Sequence, residues 1–176
     1  MRLFALAAGF VGLLLAAGPS AAADVVIEGC NELLPDEVGV REAIGDVGDT
    51  VSVAVTVHAT SPVDAFQVEL EVPPGLLSYV RTDPGDLTTS FDLLGGNWFP
   101  VTSRVRIVGV DVTGFPAGSI GRLAVVVFQV AAPGTGVFGT TNLADDLAGY
   151  VSCEDAHDPS HVLSTEWGSI KSLYRP

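Results

Sequence analysis

The run Val51–Ala59, "VSVAVTVHA", alternates without a fault, and that period constrains the fold more than any other feature. Val51, Val53, Val55 and Val57 fall on one side; Ser52, Ala54, Thr56 and His58 fall on the other. Such a period-two pattern fits a half-buried β-strand and defeats a helix, and Gly48-Asp49-Thr50 supplies the turn before it. "DAFQVELEV" repeats the pattern, with Phe66, Val68, Leu70 and Val72 opposite Gln67, Glu69 and Glu71. Pro73-Pro74-Gly75 stops it, since proline donates nothing to a ladder.

The remaining order follows the same rule. Short strands are expected over Leu76–Arg81, Arg104–Val112 and Gly121–Ala132, with weaker ones over 38–43, 91–94, 136–140 and 162–170. Gly95-Gly96-Asn97 reads as loop. A single helical turn fits only around Leu143–Leu147. Closely spaced strands with Gly/Pro turns predict an all-β fold, a jelly-roll β-sandwich of roughly eight or nine strands.

Residues 1–23 form a separate piece of the expectation. Arg2, the apolar run Leu3–Ala17, the break Gly18-Pro19-Ser20 and the small residues Ala21–Ala23 have the layout of a secretory signal peptide. The run is short for a membrane anchor. Its removal leaves residues 24–176 as one domain, secreted to the periplasm or the medium, with no membrane association after cleavage. The whole chain carries a formal charge of −13. Such a charge repels phosphates, so nucleic acid and anionic lipid are excluded as natural partners. In an oxidising compartment the two cysteines, Cys30 and Cys153, are expected to pair; a loop that long removes about 4–5 kcal/mol of unfolded-chain entropy on the simple model.

The ordered series "GDTVSVAVTV", "FQVELEVPPGLLSYVRTDPGDL", "RVRIVGVDVTG" and "GSIGRLAVVVFQVAAPG" resembles the cohesin family, from about Gly39 to Tyr150. "NLADDLAGY" and "STEWGSI" look like the late polar segment and last strand of those modules. The resemblance implies a non-catalytic jelly roll that binds a dockerin, a small calcium-loaded helical module, on one exposed sheet face. The related fold of cellulose-binding modules keeps polysaccharide open as the alternative ligand, in a polysaccharide-related extracellular assembly.

Parity then gives candidate surface residues. By likeness to the family's Leu-Ala strand, Ala124, Val126, Phe128 and Val130 enter the core, which sends Leu123, Val125, Val127 and Gln129 outward. An exposed apolar strip of this kind wants a cover, either a neighbouring loop or a protein partner. Gln67, Glu69 and Arg106 are expected to ring it. On the Arg104–Val112 strand, solvent-facing Arg104 and Arg106 would put Val108 and Val110 outside and Asp111 inside, a conflict that a bulge at Gly109 would resolve. The carbohydrate alternative rests on Trp98 and Phe99 as stacking surfaces; Trp167 reads as core.

Reactive chemistry finds little purchase. His157 and His161 stand near Glu154, Asp155 and Asp158, but Pro159 between them spoils a helical ligand pair, and Asp145-Asp146 lacks the alternation of a calcium loop. No metal or other cofactor is therefore expected. A Gly-x-Ser-x-Gly elbow is missing, and no histidine falls near a strand-to-helix turn, so no catalytic residue is assigned and no enzyme activity is expected.

Overall fold

The computed structural model describes residues 24–153. The signal-like segment, the histidines His157 and His161, Trp167 and the strand expected at 162–170 lie outside the described residues.

Three sheets form among the described residues, and two of them make the body. The five-stranded sheet has the order β12-β2-β4-β9-β6: β12 is Val151–Ser152, β2 Glu37–Val40, β4 Thr50–His58, β9 Ile120–Val130 and β6 Leu77–Pro84. The four-stranded sheet runs β11-β5-β8-β7, formed by Gly139–Asp145, Val63–Glu71, Arg104–Phe115 and Leu93–Phe99. These nine strands are the jelly-roll sandwich that alternation and turn chemistry anticipate. A third ribbon, β10-β1-β3 (Gly134–Val137, Val25–Glu28, Ala43–Gly45), sits beside them, with β1 parallel to β10 and antiparallel to β3.

The core lies between the two large sheets because each contributes one face of its alternation. Val53, Val55 and Val57 of β4 and Ala124, Val126, Phe128 and Val130 of β9 meet Phe66, Val68 and Leu70 of β5 and Val105 and Ile107 of β8 in one buried cluster. Ring contacts extend it: Phe66 lies 5.9 Å from Phe91, and Phe128 lies 6.4 Å from Phe138, centroid to centroid. Cys30 and Cys153 form a disulfide across 123 residues, their Cα atoms 6.1 Å apart. It ties the segment leading into β2 to the end of β12.

Several expectations need correction. The Gly95-Gly96-Asn97 stretch is strand, not loop, and belongs to β7. Its small residues let β6 approach closely; a Cβ at Gly96 would stand 2.0 Å from the Thr82 hydroxyl. The helical turn around Leu143–Leu147 is strand through Asp145, followed by a turn closed by Ala148 N–H to Asp145 C=O and Tyr150 N–H to Leu147 C=O. No bulge occurs at Gly109. The register from Arg104 to Val110 is continuous with both neighbours, and the irregularity falls later, between Val63 and Ala65 on β5. Gly109 faces the core, where a Cβ would stand 2.3 Å from the Phe66 ring, and glycine is what lets that ring pack.

Candidate functional site: the outer face of the four-stranded sheet

With the register continuous, every second residue of β5 and β8 turns away from the core. The pairing arranges these residues in rows across the sheet: Leu93–Val110–Ala65, then Gly95–Val108–Gln67–Ala144, then Asn97–Arg106–Glu69–Thr141, then Phe99–Arg104–Glu71–Gly139. One end of this face is apolar and open. Leu93, Val110 and Val112 are 57%, 47% and 87% exposed, and Val108 and Ala65 continue the strip half-buried. Leu93, Val108 and Val110 sit at paired positions of the ladder, while Val112 lies past it in the irregular stretch before Phe115.

Opposite charges lock the other end. Glu69 is buried on this face, beneath the side chains around it, and its carboxylate accepts from Arg106 Nε at 2.8 Å and Nη2 at 2.6 Å. Arg104 Nη1 stands 3.5 Å away, and its Nη2 donates to Glu71. A β-bulge between Thr141 and Ala144 places Asn142 in the left-handed region, φ 48°, and aims its amide at Glu69. Burial alone would push the Glu69 carboxyl up; the hydrogen bonds from Arg106 and Asn142, with the charges of Arg106 and Arg104, outweigh it and hold the group below the ordinary glutamate range. The Arg106 guanidinium also lies 5.0 Å from the centroid of the Phe99 ring. Between the two ends, Gly95 and Gly96 leave a shallow depression of about 220 Å³, bordered by Asn97, Arg106 and Val108.

The inward turn of Asp111 costs less than the sequence suggests. Its Oδ2 accepts from the Thr113 hydroxyl at 3.0 Å and the Gly114 N–H at 3.1 Å, so the nearly buried carboxylate keeps donors. Arg104 and Arg106 can then face solvent without a bulge.

The expected ring of residues does not assemble. Gln67, Glu69 and Arg106 lie on this face, whereas Leu123, Val125, Val127 and Gln129 belong to β9, the next-to-edge strand of the other sheet. They are on opposite sides of the sandwich. Leu123 is wholly buried, because the irregular pairing between Val55/Thr56 and Ala124/Arg122 inserts it as an extra residue and turns it into the core. Val127 is 1% exposed. Val125 is half-buried between Ala54 of β4 and Asp83 of β6, and Gln129 alone is exposed. The apolar strip expected along β9 is therefore not open to a partner.

Trp98 and Phe99 do not make a common platform either. As neighbours in a strand they point to opposite faces. Trp98 packs against the core and stacks on Tyr79, centroids 6.2 Å apart and planes 10° from parallel, while Phe99 lies under Arg106. Among the described residues no cluster of three or more His, Cys, Asp or Glu is placed to hold a metal. Asp146 instead accepts the Asp64 and Ala65 N–H groups at 2.8 and 2.9 Å, which hold its carboxyl below the ordinary range.

No family model matches the chain. No curated protein matches it either. Among solved structures, its fold is similar to cohesins. One is a non-cellulosomal cohesin from the archaeon Archaeoglobus fulgidus, 14% identical over 66% of this chain and 86% of that one, with a TM-score of 0.43. A second is the cohesin CaCohA2 from Clostridium acetobutylicum, 23% identical over 57% and 68% of the respective chains, TM-score 0.45. A third is the third cohesin of ScaC from Acetivibrio cellulolyticus in complex with the ScaB dockerin, 17% identical over 59% and 74%, TM-score 0.44.

Proposed function

We propose that this chain is a secreted, non-catalytic binding module that docks a protein partner on the outer face of its four-stranded sheet. The observation that carries the reading is the juxtaposition on that face. An open strip of Leu93, Val110 and Val112, continued by half-buried Val108, adjoins a locked lattice of Arg104, Arg106, Glu69, Glu71 and Asn142. Apolar anchors bordered by ordered polar groups are how protein interfaces obtain most of their energy, and burying one valine side chain is worth about 1.5–3 kcal/mol. A guanidinium held in place by its own carboxylate loses little freedom on meeting a partner.

The strand order and turn punctuation of the sequence resemble those of cohesins, and the partner which that resemblance implies is a dockerin-type module. Secretion is supported by the layout of residues 1–23 and by the Cys30–Cys153 disulfide, which belongs in an oxidising compartment. Direct polysaccharide binding has less support, since Trp98 and Phe99 face opposite ways and Trp98 is partly buried against Tyr79.

Calorimetric titration with dockerin modules encoded by the source organism tests the reading, run beside a retention assay on insoluble polysaccharide. A saturable complex that Val110→Asp weakens is the expected result. Retention on polysaccharide that depends on Trp98, with no dockerin bound, would overturn it.

A further inference from the structure

The opposite face of the sandwich holds a second recess. It is a groove of about 360 Å³ across β4 and β9 and the segments flanking β2, in which Arg41, Arg122 and Asn31 stand around Leu33, Ala54 and Ile120. The register explains the spacing of its cations. Arg41 follows β2 and donates its N–H to the Ala54 carbonyl of β4, and Thr56 of β4 pairs with Arg122 of β9. The two arginines are thus two strand spacings apart, roughly 10 Å across the sheet.

The partners of Arg41 differ from those of the other described arginines. Arg81, Arg104, Arg106 and Arg122 each make an ion pair within the fold, Arg81 and Arg122 through Nε. Arg122 uses Nε for Asp86 at 3.3 Å, and neither of its terminal nitrogens has a partner among the described residues. Arg41 has no carboxylate partner among them at all. Its Nη1 donates to the Asn31 main-chain and side-chain oxygens, both neutral, and its Nε/Nη2 edge has no partner among the described residues. That edge is the fork which grips a carboxylate through two parallel hydrogen bonds. Arg41 and Arg122 are both exposed, so in a chain of net charge −13 they bring positive charge beside an apolar floor, within reach of an anion from solution.

We propose that this groove binds a small carboxylate carried on an apolar body, such as a short aliphatic or aromatic acid. Arg41 takes the carboxylate through its open edge, the terminal nitrogens of Arg122 supply further positive charge, and Leu33, Ala54 and Ile120 cover the apolar part. Ile120 is 65% exposed in the free protein, so the ligand gives it a cover. This site is separate from the proposed docking face and does not depend on it.

Titration of the ¹⁵N-labelled full chain with sodium benzoate tests the assignment, with benzyl alcohol as the probe of the same shape without the charge. Saturable shifts are expected at the amides of Arg41, Ala54, Thr56 and Arg122 with benzoate and not with benzyl alcohol. Arg41→Gln should weaken binding at least about tenfold, as expected for loss of a charge-assisted pair. Arg41→Lys, which keeps the charge and loses the fork, should fall between. Unchanged amides elsewhere in both variants would verify that the fold is intact. The proposal is overturned by no response to benzoate, by an equal response to benzyl alcohol, or by undiminished affinity in Arg41→Gln.

Discussion

The two outer faces of the sandwich are built from similar residues and end in opposite conditions. On the four-stranded sheet, Val108, Val110 and Val112 of β8 alternate outward; Val108 is half-covered and Val110 and Val112 stay open, beside arginines already bonded to Glu69 and Glu71. On the five-stranded sheet, Val125 and Val127 of β9 also point away from the core cluster, yet Val127 is covered and Val125 half-covered. The difference lies in position within the sheet. β9 sits between β4 and β6, where Val127 pairs with Ser52 and Arg81 and Val125 with Ala54 and Asp83. β8 lies between β5 and β7, where Val110 pairs with Ala65 and Leu93 and Val108 with Gln67 and Gly95. Whether an outward valine is covered or left open thus depends on its cross-strand neighbours.

The largest effect should come from putting a carboxylate on each face. Val127→Asp buries an unpaired charge and should cost more than about 3 kcal/mol, a large part of a typical domain's total stability. Val110→Asp, on the open strip, should stay within about 0.5 kcal/mol. Urea denaturation of both variants measures this, and equal losses would erase the distinction between the faces.

A smaller effect is expected at the lattice. Glu69→Gln keeps the shape of the side chain and removes its charge, so stability near pH 7 should fall by about 1–2 kcal/mol, tempered because both arginines are partly solvated. The pH dependence has a definite sign. The folded carboxyl titrates below the unfolded one, so its stabilising share is complete above the unfolded glutamate value of about 4.3 and is lost as pH falls through the lowered folded value. Glu69→Gln should flatten the acid limb of stability against pH; a limb as steep as the parent's would show that Glu69 is not locked by its neighbours.

Two adjacent glycines sharpen the comparison further. A Cβ at Gly95 meets nothing within 4 Å, so Gly95→Ala should change the melting temperature by no more than about 2 °C while partly filling the depression. Gly96→Ala would press on Thr82 of β6 and should lower it several-fold more. Similar melting shifts for the two would mean that β6 and β7 are not in close approach.

Much of this was readable in the chain, and the failures have physical causes. Val51–Val57 and Phe66–Leu70 announce their buried sides because one face of each strand meets the core and the other is polar. In β9 the run Ala124-Val125-Val126-Val127-Phe128 has no polar partner residues, which is the mark of a strand covered on both sides. Imposing one parity on it sent Leu123 and Val127 outward, and the irregular pairing at Leu123 could not be seen from local pattern. Trp98 and Phe99, by contrast, carried their answer, since neighbours in a strand face opposite ways. Arg104 and Arg106 carried theirs as well: outward arginines require outward Val108 and Val110, and Asp111 could turn inward because Thr113 and Gly114 supply it with donors. Leu93, Asn97 and Asn142 were not legible as site residues. Their place beside β8 and β5 depends on which strands pair over long separations, and on a bulge at Asn142.

The central claim is that recognition belongs to the four-stranded face. The most direct test is one titration series with a dockerin-type module from the source organism, comparing the parent chain with Val110→Asp and Val125→Asp. Val110→Asp should weaken the complex at least about tenfold, the equivalent of one buried valine, while Val125→Asp leaves it unchanged. A complex that survives Val110→Asp and is lost with a folded Val125→Asp would place recognition on the other sheet and contradict the account.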